Sequence, residues 1–376
     1  MNEPYLGASI PKLGFGFMRL PKMQDGSMDM EQIRRMVDLY MQRGFTYFDT
    51  AYTYDGGASE TALREALVER YPRSSFQVAT KLSLMSLERA EDGPYMFETS
   101  LKRLGLDRID FYLLHNISRE RDAKADQYGV WDYVNTLKAS GRISHLGISF
   151  HDTADVLDDV LTRHPEVEFV QLQINYADWE NPRIQSRLCY ETARRHNKPV
   201  IVMEPVKGGA LARLSGEAEA VLKAADPDAS AASWAIRFAA SLDGLITVLS
   251  GMSTYEQLDE NTSFMRDMKP LTDQERASVF SAAGALLKSA AIACTACRYC
   301  VEGCPANVNI PMIFDLYNDY LTYHQLARVK NTYALYTKKT SGKASACLRC
   351  GACEEICPQH LPIRTYLAEI AGIFDE

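Results

Sequence analysis

Gly44-Phe45-Thr46-Tyr47-Phe48-Asp49-Thr50-Ala51-Tyr52-Thr53-Tyr54 opens on a short β-branched and aromatic run, Thr46 to Asp49, and passes into a polar loop. Such a run predicts a buried strand that ends at Asp49. Outward from it, runs of the same kind recur at Leu13 to Met18, Phe76 to Thr80, Asp110 to Leu114, Ser144 to Ser149, Phe169 to Gln173, Val200 to Met203 and Leu245 to Leu249. Segments of helical period lie between them, such as Met30 to Arg43, Ala58 to Arg70, Pro94 to Leu104 and Ala229 to Ala240. Eight strands, each followed by a helix, predict an α/β chain folded as a (β/α)8 TIM barrel. An open doubly wound sheet would show a glycine-rich phosphate turn after an early strand. Here Gly14-Phe15-Gly16 is followed by Phe17, Met18 and Arg19, so the third glycine is missing.

The chain has 376 residues and a net charge of −8, which argues against binding nucleic acid through its phosphates. No apolar run is long enough to span a membrane, and Met1-Asn2-Glu3-Pro4 has no signal-peptide pattern, so a cytoplasmic protein away from membranes is expected. Of nine cysteines, Cys189 stands alone in the first part of the chain and eight crowd together after residue 293. Composition therefore divides the chain into a barrel, 1–288, and a small α-rich domain, 289–376, with a helical insert at 305–346. In that insert Ile313, Leu316, Tyr317, Tyr320 and Leu321 fall on one helix face. Arg328, Lys330, Lys338, Lys339, Lys343 and Arg349 follow without an intervening acid, either as a solvated face or as a docking patch for an acidic redox protein.

Cys294, Cys297, Cys300 and Cys304 are followed by Pro305, and Cys347, Cys350, Cys353 and Cys357 repeat the same spacing before Pro358. This is the bacterial ferredoxin run C-x2-C-x2-C-x3-C-P for 4Fe-4S clusters, in which the fourth cysteine ligates the other cluster. The expectation is a ferredoxin-like module with two 4Fe-4S clusters, one on Cys294, Cys297, Cys300 and Cys357, the other on Cys347, Cys350, Cys353 and Cys304. Structural zinc would more often separate two C-x2-C knuckles by a longer loop. A purely structural role for the clusters is the competing reading, because metal binding can drive the folding of a small domain.

Asp49, Lys81, His115 and Ser149 fall at the ends of successive expected strands, at steps of a little over thirty residues, one strand-helix unit each. With Tyr54 in the loop after Asp49, four side chains should converge on the C-terminal mouth of the barrel. Singly, Asp49 and Lys81 could form an ordinary salt bridge, Tyr54 be a loop aromatic and His115 a core histidine. Together they make a proton-donating site. Lys81 lowers the phenol pKa of Tyr54 toward the working range, Asp49 keeps Lys81 charged, and His115 donates to a carbonyl oxygen.

At these residues the sequence resembles the aldo-keto reductases. The likeness rests on the 44–54 motif, Ala79-Thr80-Lys81, Asp110-Phe111-Tyr112-Leu113-Leu114-His115, Gly147-Ile148-Ser149 and Glu260-Asn261. It implies a barrel that reduces a small carbonyl compound, or oxidises an alcohol, by hydride transfer with NADH or NADPH. Tyr54 would be the general acid, Lys81 and Asp49 its tuners and His115 the orienter of the carbonyl. Ser149 and Gln173 would hold the nicotinamide carboxamide, and Asn261 the adenine end. The fused arrangement resembles an iron-sulfur-containing branch of that family.

Departures accompany the likeness. Met203-Glu204-Pro205 stands where the family stacks a tyrosine on the nicotinamide. In Ser250-Gly251-Met252-Ser253-Thr254 and at Gln257, two clamp positions for a 2′-phosphate lack their cations, which makes NADH at least as fitting as NADPH. Phe150 replaces an asparagine, and His151 either lines the substrate pocket or caps the next helix with Asp152. Hydride carries two electrons and a 4Fe-4S cluster one, so direct exchange needs a flavin or a radical-stabilising substrate, and no flavin fingerprint is present. A different class of reading is an electron-transfer or scaffold subunit whose barrel no longer binds nicotinamide.

Overall fold

A computed structural model describes residues 5–375, apart from 183, 215, 289–291, 293, 295–297, 340 and 358. Eight parallel strands close into a barrel in chain order, each bonded to its sequence neighbour and the last to the first. They are β1 (Leu13–Gly16), β2 (Tyr47–Asp49), β3 (Gln77–Ser83), β4 (Ile109–Ile117), β5 (Ile143–Phe150), β6 (Phe169–Gln173), β7 (Val200–Met203) and β8 (Leu245–Ser250). Helices return the chain between strands, and polar side chains start several of them. Asp29 accepts from the Gln32 amide before Met30–Gln42, Ser118 from Arg121 before Arg119–Gln127, and Thr254 from Gln257 before Tyr255–Arg266.

Strands β3, β4 and β5 run further than their composition suggests. Lys81, His115 and Ser149 therefore lie within strands rather than just beyond them. Polar residues survive there because side chains alternate across a strand, and these three share a face with the barrel interior. That interior holds Tyr47, Ala79, Phe111, Leu113, Phe169 and Ile201. Asp49, Lys81, His115 and Gln171 each sit two residues beyond one of these, one layer nearer the C-terminal mouth. Gly147 makes the same layer possible on β5: a Cβ there would lie 2.4 Å from the Phe169 ring.

By contacts the chain forms two compact units, one of residues 1–212 and 228–279, the other of 213–227 and 280–376. The division falls inside the helix Asp273–Lys288. In the second unit the insert forms the helices Ile310–Tyr323 and Leu326–Lys339. Ile313, Leu316 and Tyr317 are buried in its core with Leu367, Ile370 and Phe374 of the helix Ile363–Phe374, and six described cysteines pack against that core. Among the described residues no helix is long and apolar enough to cross a membrane.

Candidate active site

The mouth is assembled from the strand ends. Lys81 is fully buried and donates from Nζ to Asp49 Oδ1 at 2.6 Å, to the Thr50 carbonyl at 2.7 Å and to Tyr54 Oη at 3.4 Å. Its ammonium also lies 4.9 Å from the centre of the Tyr54 ring, and the His115 ring meets that ring edge-on at 5.7 Å. The four side chains named from spacing are thus brought together.

Tyr54 is carried by a tight turn, Tyr54–Gly57, in which Asp55, Gly56 and Gly57 all have positive φ. Gly57, at φ 98°, has no room for a side chain: a Cβ would meet the Arg103 guanidinium at 2.3 Å. Arg103 braces the loop by donating to the Tyr52 carbonyl at 3.0 Å and to buried Glu60 at 3.2 Å, and Glu60 also accepts from Thr80 at 2.7 Å. This brace was not visible in the sequence, because Arg103 and Glu60 sit on different helices with unremarkable neighbours.

Electrostatics correct one expectation. Burial raises the Tyr54 phenol above its ordinary value of 10; the Lys81 charge pulls it down but does not win, and Asp49 adds to the rise. The phenol is therefore protonated at neutral pH, the state a proton donor requires. Burial works to strip Lys81 of its proton, yet Asp49 and Tyr54 outweigh it and hold the ammonium above its ordinary 10.5. Asp49 is pushed up by burial, with Lys81 opposing. Desolvation, then the charges of Lys81, His151 and Arg121, keep His115 well below 6.5 and hence neutral. His151 keeps an exposed edge, but protein crowding and the charges of Arg121 and Lys81 lower it toward about 4.

Three buried atoms at this mouth have no hydrogen-bond partner among the described residues: Asp49 Oδ2, His115 Nδ1 and Gln171 Oε1. Buried polar atoms are normally paired, so these three leave hydrogen-bonding capacity at the mouth that a ligand or water would complete. Gln171 was not singled out from the sequence, although it shares a strand face with Gln173. It pairs in register with Ser149 and donates to Met203 Sδ at 3.5 Å.

The residues expected to contact a nicotinamide nucleotide are distributed along β5 to β8 and beyond. Ser149 Oγ lies 3.3 Å from His151 Nε2 and 3.9 Å from Met203 Sδ. Gln173 donates to Asp178 at 3.1 Å, and Asn261 to Ser250 Oγ at 3.2 Å. Gln257 accepts from the Ser253 amide at 2.8 Å, and an added Cβ at Gly251 would meet only ordinary contact with Arg19 at 3.8 Å. These residues flank one side of the mouth, where Glu204 and Lys207 also take positive φ in the loop after β7.

In the second unit two hollows collect the cysteines. One is walled by Cys294, Cys300 and Cys357 together with Ile310 and Phe314. The other is walled by Cys304, Cys347, Cys350 and Cys353 with Val308 and Leu367. Each hollow mixes cysteines of both sequence blocks; Cys297 lies outside the described residues. The described cysteines form no disulfide. A set of soft thiol donors around an apolar-walled hollow fits an iron-sulfur cluster.

Comparison with known proteins follows the same division. Residues 293–361 match the family model of the 4Fe-4S dicluster domain, and residues 12–283 that of the aldo/keto reductase family. An uncharacterized oxidoreductase of Schizosaccharomyces pombe is 27% identical over 262 residues, covering 67% of this chain and 80% of the relative. A probable aldo-keto reductase of Glycine max is 27% identical over 181 residues, 46% of this chain and 50% of the relative. The solved holo form of an aldo-keto reductase from Bacillus halodurans superposes with a TM-score of 0.59 at 25% identity, covering 73% of this chain and 92% of that one. An aldo-keto reductase from Klebsiella pneumoniae, solved in complex with NADPH, shares the fold with a TM-score of 0.57 at 20% identity, covering 72% and 90%. With the aldo/keto reductase family model matching residues 12–283, most of its length, this chain belongs to the aldo/keto reductase family, as an enzyme of oxidoreductase type.

Proposed function

We propose that the barrel reduces a small carbonyl compound, or runs the reverse oxidation of an alcohol, with a nicotinamide nucleotide bound along the ends of β5 to β8. The Asp49, Lys81, Tyr54 and His115 constellation carries this reading. A bound reduced nicotinamide supplies hydride, and a bound 4Fe-4S cluster supplies single electrons. Tyr54 donates its phenolic proton to the carbonyl oxygen as negative charge develops there. The Lys81 ammonium, 3.4 Å from the phenol oxygen, stabilises the phenolate that remains, and Asp49 holds the ammonium in place at 2.6 Å. Neutral His115 orients the carbonyl by donating from the nitrogen that faces the mouth.

Ser149, Gln173 and Met203 are the candidates for the nicotinamide end, and Ser250, Gly251, Gln257 and Asn261 for the adenosine end. Neither clamp position carries a cation, which supports NADH as well as the NADPH that the Klebsiella pneumoniae protein binds. We assign Cys294, Cys297, Cys300 and Cys357 to one 4Fe-4S cluster and Cys304, Cys347, Cys350 and Cys353 to a second, supported by the membership of the two hollows. The thiol-rich module suits a reducing compartment, in keeping with a cytoplasmic enzyme that exchanges electrons with a separate redox protein.

Titration of the anaerobically purified full chain with NADH and NADPH, followed by an aldehyde, tests the reading. Saturable binding of at least one nucleotide and aldehyde-dependent oxidation of it are expected. Absence of binding at millimolar nucleotide would overturn it in favour of an electron-transfer or scaffold subunit. That second reading draws its support from Gln173, Gln257 and Asn261, whose amides are engaged with Asp178, Ser253 and Ser250.

A further inference from the structure

We propose that Arg121 is the anion anchor of the substrate pocket, so that the carbonyl compound reduced at this mouth carries a carboxylate. The inference rests on the reductase reading above and narrows its substrate class.

Arg121 stands in the first turn of the helix Arg119–Gln127, just after β4. Its Nη1 donates to the Asn116 carbonyl at 3.3 Å, to Asn116 Oδ1 at 3.0 Å and to Ser118 Oγ at 3.2 Å. Three neutral acceptors on one nitrogen fix the guanidinium without matching its charge. Nε and Nη2 make no hydrogen bond among the described residues, and no described carboxylate pairs with this arginine. The other lysines and arginines around the mouth are matched: Lys81 with Asp49, Lys207 with Asp178, Arg19 with Glu204 and Lys22 with Asp55. Arg121 thus stands as a cation with no described carboxylate partner, near a neutral Tyr54 and a neutral His115.

This charge is placed beside the chemistry. Asn116, which Arg121 grips, follows His115 directly and takes φ 64°, and the β4–β5 register shifts between Leu114 and Ile117. A strand that breaks its ladder at a functional layer needs something to hold the break, and Arg121 does so with one nitrogen while the rest of its fork stays unpaired. Its charge is felt at both His115 and His151. A half-buried guanidinium without a counter-ion is costly, and the planar fork matches a carboxylate with two parallel hydrogen bonds.

The test compares succinic semialdehyde with butanal, which share a four-carbon chain and differ by the carboxylate. Wild-type holoenzyme should favour the oxo acid in kcat/KM by about tenfold or more, and Arg121→Gln should shrink that ratio by about tenfold. Arg121→Lys, which keeps the charge, should restore part of it. Calorimetric titration with butanoate supplies a readout without turnover: the wild type should bind it, and Arg121→Gln should bind about tenfold more weakly. An unchanged ratio in Arg121→Gln, no preference in the wild type, or a variant that loses nucleotide affinity instead of butanoate affinity would each overturn the anchor. If butanoate binds through Arg121 while neither aldehyde is reduced, the anchor stands and the reductase reading falls. If both aldehydes are reduced without regard to Arg121, the reverse holds.

Discussion

Two buried lysine–aspartate pairs of nearly equal length lie toward the C-terminal side of the barrel, Lys81 with Asp49 at 2.6 Å within β3 and β2, and Lys207 with Asp178 at 2.7 Å in the segments that follow β7 and β6. Both aspartates are buried, at 3% and 0% exposure. Burial is the largest influence on each carboxyl and acts in the same direction, yet Asp49 ends above its ordinary pKa and Asp178 below it. The difference lies in the remaining bonds. Asp178 accepts from Lys207 on one oxygen and from Asn175 and Gln173 on the other, at 2.8 and 3.1 Å. Asp49 accepts from Lys81 alone, and its second oxygen has no partner among the described residues. A saturated pair is cement, here fixing the loop after β7. An unsaturated one leaves its lysine able to serve a third group, Tyr54, so the same two residue types are put to different uses by the bonds around them.

The contrast can be broken most directly at the third group. Tyr54→Phe removes the donated proton and should lower kcat for carbonyl reduction by about 10²–10⁴-fold while nucleotide affinity stays nearly constant. Steady-state kinetics together with a binding titration check this, and an unaltered kcat would show that the unsaturated pair serves nothing catalytic.

The next largest effect belongs to the saturated pair. Asp178→Ala strands the Lys207 charge in the interior and should cost about 3–5 kcal/mol of stability. Chemical denaturation of the anaerobic protein measures it. Asp49→Asn and Asp178→Asn then form a matched set that keeps both shapes. The Asp49 variant should lose about 10-fold or more in kcat with a smaller shift of the denaturation midpoint, through loss of the charge that holds Lys81 protonated. The Asp178 variant should do the opposite. If Asp178→Asn cuts kcat tenfold with its midpoint unmoved, the division between cement and machinery fails.

The same contrast explains what could be read in advance. The barrel was legible because eight strand-like runs recur at the step of a strand-helix unit, and Asp49, Lys81, His115 and Ser149 were legible because they keep that step, with Tyr54 in the loop after the first of them. Strand ends at Lys81, His115 and Ser149 were set too early, since a charged or polar side chain looks like a boundary until the barrel interior gives it a layer to occupy. The direction of the Tyr54 pKa was misjudged for a related reason: the lysine is visible in a sequence and the desolvation is not. Gln171 escaped notice because a strand run alone does not tell which polar residue faces the barrel interior, Arg103 because its partners lie on a distant loop and helix, and Arg121 because its partners are set by the register shift after His115. The assignment of each run's fourth cysteine to the other run's cluster was read from spacing alone and stands as a proposal, beside two hollows that each mix cysteines of both runs.

The smallest expected effect concerns protons at His115, which shares the unsatisfied character of Asp49. In the unfolded chain its imidazole titrates near 6.5; in the folded barrel burial and the charges of Lys81, His151 and Arg121 keep it neutral far below that. Below pH 6.5 the unfolded state therefore binds a proton that the folded state refuses, and stability falls as pH falls, by up to about 1.4 kcal/mol per pH unit for one such group. Above pH 6.5 neither state is protonated and the contribution is flat. His115→Gln removes this dependence, so between pH 6.5 and 5.5 its denaturation midpoint should drop by less than that of the wild type, the difference being on the order of 1 kcal/mol. His151 acts in the same direction in both proteins and cancels from the comparison to the extent that its own shift does not depend on His115. Glu168, held down to about 2 mainly by its bonds to His145 and Lys138 against burial, loses its stabilising contribution only below its ordinary 4.5, outside this window. Parallel curves for the two proteins would mean that the folded barrel admits the proton at His115 after all. The neutral donor assigned to the carbonyl would then be a cation for part of the working range, and the acid limb of kcat would show the break near pH 6.5 that a neutral His115 forbids.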